Sequence, residues 1–94
     1  MLPIEWRNSA DEDLAEIMAY IKARNEQASF RLFERIEAAL VHTSEHPYLY
    51  KQSERVKGTR EIVVHPNYII FYRVTPTAIE VVNVVHAKRE YPNR

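Results

Sequence analysis

The chain has 94 residues, with 13 Lys and Arg balanced by 13 Asp and Glu, a single glycine and no cysteine. That length supports one domain over 1–94 with a modest core and excludes a second; the lack of thiols excludes disulfide frameworks and thiolate metal sites and fits a reducing cytoplasm. No apolar run approaches the roughly 20 residues of a membrane span, and no basic segment with an apolar continuation opens the chain, so a soluble, cytoplasmic protein without membrane contact is expected.

The zero net charge hides an asymmetry. Residues 1–50 hold 5 Lys and Arg against 9 Asp and Glu, whereas residues 51–94 hold 8 against 4. An anionic partner would therefore dock on the second half, because a local field persists even when the total cancels. The neutral total argues against tight nonspecific binding to RNA, which needs several uncompensated phosphate contacts.

In chain order, Leu2 to Trp6 is a short apolar segment with Pro3 near its start, as in an edge strand. Ser9-Ala10-Asp11-Glu12 has the spacing of a capping box, and Asp11 and Asp13 suit the first turn of a helix. Leu14, Ile17, Met18 and Ile21 recur at helical intervals and predict one buried stripe to about Arg24. Asn25 breaks the pattern and turns the chain. Ser29, Phe33, Ile36 and Leu40, flanked by Phe30 and Leu32, predict a second helix to about Ser44 and hence an antiparallel helical hairpin. The aromatic side chains of Tyr20, Phe30 and Phe33 are expected in the core.

Pro47 to Gly58 shows no periodicity and reads as a long loop. Arg60 to His65, Tyr68 to Val74 and Ala78 to Ala87 then form an antiparallel meander, separated by Pro66-Asn67 and Thr75-Pro76-Thr77. Period-2 alternation sends Tyr68, Ile70, Tyr72 and Val74 to one face and Ile69, Phe71 and Arg73 to the other. In the last strand it groups Ile79, Val81 and Val85 against Val82, Val84 and His86. Both faces are largely apolar, yet one helical hairpin covers only one, so the second is either wrapped by tails or open to a partner. The fold class is α+β: a helical hairpin on a mostly antiparallel sheet, in the order β-α-α-β-β-β.

That order, together with Asn67-Tyr-Ile-Ile-Phe-Tyr-Arg-Val74 and Val84-Val-His-Ala-Lys-Arg-Glu-Tyr91, resembles the ParE/RelE superfamily of toxins from bacterial type II toxin–antitoxin modules. The resemblance is greater to the ParE branch. It implies a cognate antitoxin as partner, a toxin–antitoxin hetero-oligomer and no cofactor. RelE-type toxins cut messenger RNA on the ribosome by attack of a 2′-hydroxyl on the adjacent phosphate, without metal. Such chemistry requires a base, an acid and cations around the phosphorane. A RelE-like reading would assign these roles to Arg60, His86 and Arg89 or Lys88, and the chemistry of related ribosome-dependent toxins, which use other mixtures of His, Glu and Arg, could be served by His86 or His65. RelE, however, carries an arginine directly after the tyrosine that opens the middle meander strand, and here that position is Ile69. Its catalytic C-terminal tyrosine also has no counterpart at the same spacing, Tyr91 lying nearer to Arg89.

ParE-type toxins instead bind DNA gyrase. On that reading Arg60, Arg73, Lys88 and Arg89 form a docking surface, with Tyr91 as an aromatic anchor. Structural roles compete at each position: Arg60 could pair with Glu61 or Glu80 across strands, and His86 could serve as a hydrogen-bonding residue at a sheet end. His42, His46 and His65 show no familiar metal-ligand spacing, so no metal is expected.

Overall fold

A computed structural model describes residues 1–88. Its elements are β1 (Ile4–Trp6), α1 (Asn8–Lys22), α2 (Glu26–Glu45), β2 (Arg60–His65), β3 (Tyr68–Val74) and β4 (Ile79–His86). The strands form one sheet in the order β1-β4-β3-β2. The meander β2-β3-β4 is antiparallel, and β1 joins as a parallel edge strand on β4, with Ile4 opposite Ile79 and Trp6 opposite Val81. This is the expected β-α-α-β-β-β arrangement.

Both helices lie on one face of the sheet. Leu32, Ile36 and Leu40 of α2 are buried in the same cluster as Ile62, Val64, Tyr68, Ile70, Tyr72, Ile79, Val81 and Val84, with Leu14, Ile17, Met18 and Ile21 of α1 packed against it. The aromatic expectation fails. Tyr20 and Phe30 are 58% and 63% exposed, and Phe33 is 40% exposed. At about 100° per residue, Phe30, Phe33 and Val41 sit on a flank of α2 adjoining the stripe of Leu32, Ile36 and Leu40, and the sheet is wide enough for only the latter. Tyr20 instead stacks with Arg24, whose guanidinium carbon lies 3.8 Å from the ring centroid.

Two further corrections concern β4 and the start of α1. A bulge between the pairs Phe71–Asn83 and Tyr72–Val81 inserts Val82 as an extra residue and reverses the alternation beyond it. Val84 thus joins Ile79 and Val81 in the core, while Val85 lies opposite Ile69 on the other face. The bulge frees main-chain groups, and α1 takes them up. The Ser9 hydroxyl donates to the Val82 carbonyl at 2.7 Å, and the Arg7 amide donates to the Val81 carbonyl at 3.0 Å. One carboxylate oxygen of Asp13 accepts from the Val84 amide at 3.0 Å and from the Asn83 side chain at 2.8 Å. Ser9 therefore lies inside the helix and ties it to the sheet; the residue preceding the helix is Arg7, which provides no side-chain cap.

Asn25 ends one helix and begins the next. Its amide donates to the Ile21 carbonyl at 2.7 Å, and its side-chain oxygen accepts from the Ala28 amide at 3.0 Å. At the far end of α2, the Ser44 hydroxyl donates to the Leu2 carbonyl while the Leu2 amide donates to the Ser44 carbonyl, which anchors β1. On the second face of the sheet, Ile69 and Phe71 are 4% and 0% exposed, so the centre of that face is closed rather than open to a partner.

Candidate functional site

Arg60 opens β2 opposite Tyr72 and points to the helix-bearing face. One guanidinium nitrogen, Nη1, donates to the Tyr50 carbonyl at 2.6 Å and the Tyr48 carbonyl at 3.4 Å, and the group lies 5.1 Å from the Tyr48 ring centroid. Beside it the Tyr72 hydroxyl donates to the Pro47 carbonyl at 2.7 Å. Carbonyls 47, 48 and 50 are thus gathered by two side chains of the sheet. The two carboxylates considered from the sequence have other partners: Glu61 accepts from Ser53, and Glu80 lies beside Arg7 and Arg73.

The rest of that loop is equally ordered. Its turn rests on Gly58 at φ 83°, in the left-handed region that favours glycine. Ser53 Oγ accepts from the amides of Arg55 and Val56 at 3.0 Å each and donates to the buried Glu61 carboxylate at 2.6 Å. The Glu61 amide in turn donates to the Lys51 carbonyl at 3.1 Å, so the loop runs along the outer edge of β2.

Burial pushes the Tyr72 hydroxyl up to about 12 from its ordinary 10.0, against an opposing pull from the Arg60 guanidinium. A phenol with a raised folded pKa holds its proton more tightly folded than unfolded. Its contribution to stability is therefore complete below about pH 10 and is lost as pH rises toward about 12. Denaturant unfolding measured across that alkaline range should show stability falling more steeply in the natural chain than in Tyr72→Phe. Equal slopes would show that this hydroxyl does not couple folding to pH.

Arg73 points to the opposite face of the sheet. Its Nε lies 3.7 Å from the Glu80 carboxylate, which Arg7 approaches at the same 3.7 Å. Both arginines are half exposed, and such surface pairs contribute little to stability.

His86 ends β4 opposite Tyr68, at the other end of the sheet from Arg60. The registers of these two residues on β3 are about 13 Å apart at ~3.3 Å per residue, so Arg60 and His86 do not share a reaction centre. The His86 Nδ1 accepts from the Lys88 amide at 3.2 Å, and the ring meets Tyr68 edge-on at 5.3 Å. His65 mirrors it across Tyr68: its Nδ1 accepts from the Asn67 amide at 3.0 Å, with ring centroids 5.8 Å apart. A neutral imidazole that accepts at Nδ1 carries its proton on Nε2. Lys88 is exposed just beyond. Arg89 and Tyr91, the remaining predicted contact residues, lie outside the described residues.

One cluster went unseen in the sequence. α2 runs to Glu45, with His46 as its C-cap, and this places His42, Glu45 and His46 together at its last turn. The spacings of three and four residues carry that signal once the helix is extended past Ser44.

A helical hairpin on a mixed four-stranded sheet in the order β-α-α-β-β-β is the architecture of the ParE/RelE-like toxins. Among solved structures, the chromosomal ParDE toxin–antitoxin system of P. aeruginosa superposes with a TM-score of 0.79 at 14% identity, over 94% of this chain and 98% of that one. The DinJ-YafQ toxin–antitoxin complex of E. coli gives 0.63 at 14% identity, over 90% and 91%. At such identities the likeness establishes the fold. In sequence, the toxin candidate Y4kP of Sinorhizobium fredii (strain NBRC 101917 / NGR234) is 36% identical over 90 residues, which span 95% of this chain and 92% of the relative. Residues 4–91 match the model of the ParE toxin of the type II toxin–antitoxin system parDE. The chain belongs to the ParE toxin family.

Proposed function

We propose that this toxin arrests growth in the cytoplasm by binding DNA gyrase, not by cleaving RNA. The observation that carries the reading is the dispersal of the groups cleavage would need. Arg60 is committed to loop carbonyls at one end of the sheet, and His86 offers no free Nδ1 at the other. Between their registers the position that RelE fills with arginine is the buried Ile69, and an apolar side chain cannot stabilise a phosphorane. Protein binding requires no such assembly. It needs cations and aromatic anchors on an accessible surface: Lys88 is exposed, and Arg89 and Tyr91 follow it in the sequence. Arg73, paired with Glu80 at the far end of β3 from His86, would be a separate contact, whereas Arg60 contributes through the loop it holds.

The cognate antitoxin, on this reading, folds over the helical hairpin. With Ile69 and Phe71 buried, three exposed apolar side chains gather on the outer flank of α2, Phe30, Phe33 and Val41, whereas on the second sheet face Val63 is exposed beside Ile69. Coupled folding of a disordered segment typically buries about 1,000 to 3,000 Å².

The test sets DNA supercoiling by purified gyrase beside translation-coupled RNA cleavage. The purified chain should inhibit supercoiling and leave ribosome-bound messages intact. Charge reversal at Lys88 and Arg89 should weaken inhibition by about tenfold or more, the equivalent of about 1.4 kcal/mol, while His86→Ala leaves it near the natural level. Ribosome-dependent cleavage abolished by His86→Ala, with supercoiling unaffected, would overturn the proposal in favour of RelE-like chemistry.

A further inference from the structure

We infer that the last turn of α2 is a binding site for a divalent transition-metal ion of the zinc class, held by His42, Glu45 and His46. One imidazole nitrogen of each histidine and one carboxylate oxygen of the glutamate all lie within 4.8 Å of one another. The two rings are 5.1 Å apart, centroid to centroid. Around a tetrahedral ion with bonds of about 2.0 to 2.2 Å, ligand atoms sit about 3.3 to 3.5 Å apart. The cluster is thus within a side-chain adjustment of closing, and all three residues are exposed.

The chemistry of the donor set selects the ion. Two imidazoles and one carboxylate suit zinc, and also nickel and copper, better than the oxygen-seeking magnesium or calcium. Three protein ligands leave the fourth position to water. The helix supports the site twice: residues one turn apart face the same way, and the negative end of the helix dipole favours a cation at its C-terminus. The edge of Tyr50 also stands against His42, with centroids 6.4 Å apart, which limits the directions the imidazole can take.

The consequence is a staple at the point where α2 hands over to the loop. His46 is the C-cap of the helix, and the next carbonyl, that of Pro47, is the one held by Tyr72. An ion joining His42 to His46 would lock the last turn against fraying and steady the loop entry that Arg60 grips. An ion that binds the folded turn more tightly than the same side chains of the unfolded chain stabilises by mass action, by the difference between the two affinities.

The experiment titrates zinc chloride into the purified full chain, with stoichiometry followed by calorimetry and Tm by circular dichroism. Expected are one saturable ion per chain, a Tm rise of several degrees that a chelator reverses, and selective movement of the His42 and His46 imidazole NMR signals. His42→Gln and His46→Gln should each weaken binding by at least about tenfold, since even the outer partners of metal ligands are worth 10- to 100-fold. Glu45→Gln should weaken it less, and His65→Gln should leave it unchanged. All of these side chains are at least partly exposed, so the metal-free Tm of each variant reports its folding separately. Absence of saturable one-to-one binding, or binding that survives loss of either His42 or His46, would overturn the site.

Discussion

Replacing Ile36 by alanine should lower the free energy of unfolding by about 2 to 5 kcal/mol, and Leu40→Ala should do the same. Both side chains are almost fully buried, at 1% and 5% exposure, where α2 crosses Tyr72, Ile70 and their neighbours. A closely packed interior collapses only partly around a deleted branch, so the loss combines transfer free energy with a residual cavity. In a domain whose whole stability is about 5 to 15 kcal/mol, either change removes a large share. Phe30→Ala and Val41→Ala on the outer flank supply the contrast: they should change stability by less than about 0.5 kcal/mol. Urea unfolding of the four variants checks both halves. Losses under about 0.5 kcal/mol at Ile36 and Leu40 would mean that the wrong flank of α2 had been placed on the sheet.

The contrast also marks where the amino-acid sequence was legible. Leu14, Ile17, Met18 and Ile21 announce the first helix through spacing alone, and Ser29, Ile36 and Leu40 the second, although Leu32 rather than Phe33 completes its buried stripe. Phe30 and Phe33 have equally apolar side chains at related spacing, but periodicity cannot say which of two adjoining stripes the sheet will occupy. Only the tertiary arrangement decides. The run Val81-Val82-Asn83-Val84-Val85 hides the bulge for a similar reason: four valines offer no apolar–polar contrast, so an inserted residue leaves no trace in the alternation. Pairing against Phe71 and Tyr72 exposes it. Ser9 was misread because its local pattern matches a cap, whereas its hydroxyl bonds a carbonyl 73 positions away.

Among the predicted contact residues, the unequal placement has a physical origin. Ile69 was informative in sequence because the resemblance to RelE implies an arginine there, and an apolar side chain cannot stabilise a phosphorane. Arg60 was ambiguous because a guanidinium has five donors and many suitable partners. The partners it takes are main-chain carbonyls of a loop, and a loop's path leaves no periodic signature. His42 and His46 were considered with His65 and set aside for want of a metal-ligand spacing; Glu45, which joins them at the last turn of α2, was not weighed.

Arg60→Ala should release the loop that runs from Pro47 to Gly58 and destabilise the fold by about 1.5 to 3 kcal/mol, the usual range for hydrogen bonds to a charged group. The carbonyls of Tyr48 and Tyr50 would lose their shared donor, and the Tyr48 ring its cation. Tyr72→Phe removes only the bond to Pro47 and should cost about 1 kcal/mol at neutral pH. Because both side chains hold the same short stretch, the double variant should lose less than the two single losses added together. Arg60→Lys should recover part of the stability, a lysine supplying the charge without the planar fork. Limited trypsin digestion gives the local readout, since Lys51, Arg55 and Lys57 all lie in the loop: these sites should open in Arg60→Ala while the helices stay protected. Gyrase inhibition by Arg60→Ala should then fall together with loop protection and return with it in Arg60→Lys. Normal stability and an intact loop, with inhibition nonetheless lost, would show instead that the guanidinium touches the target itself.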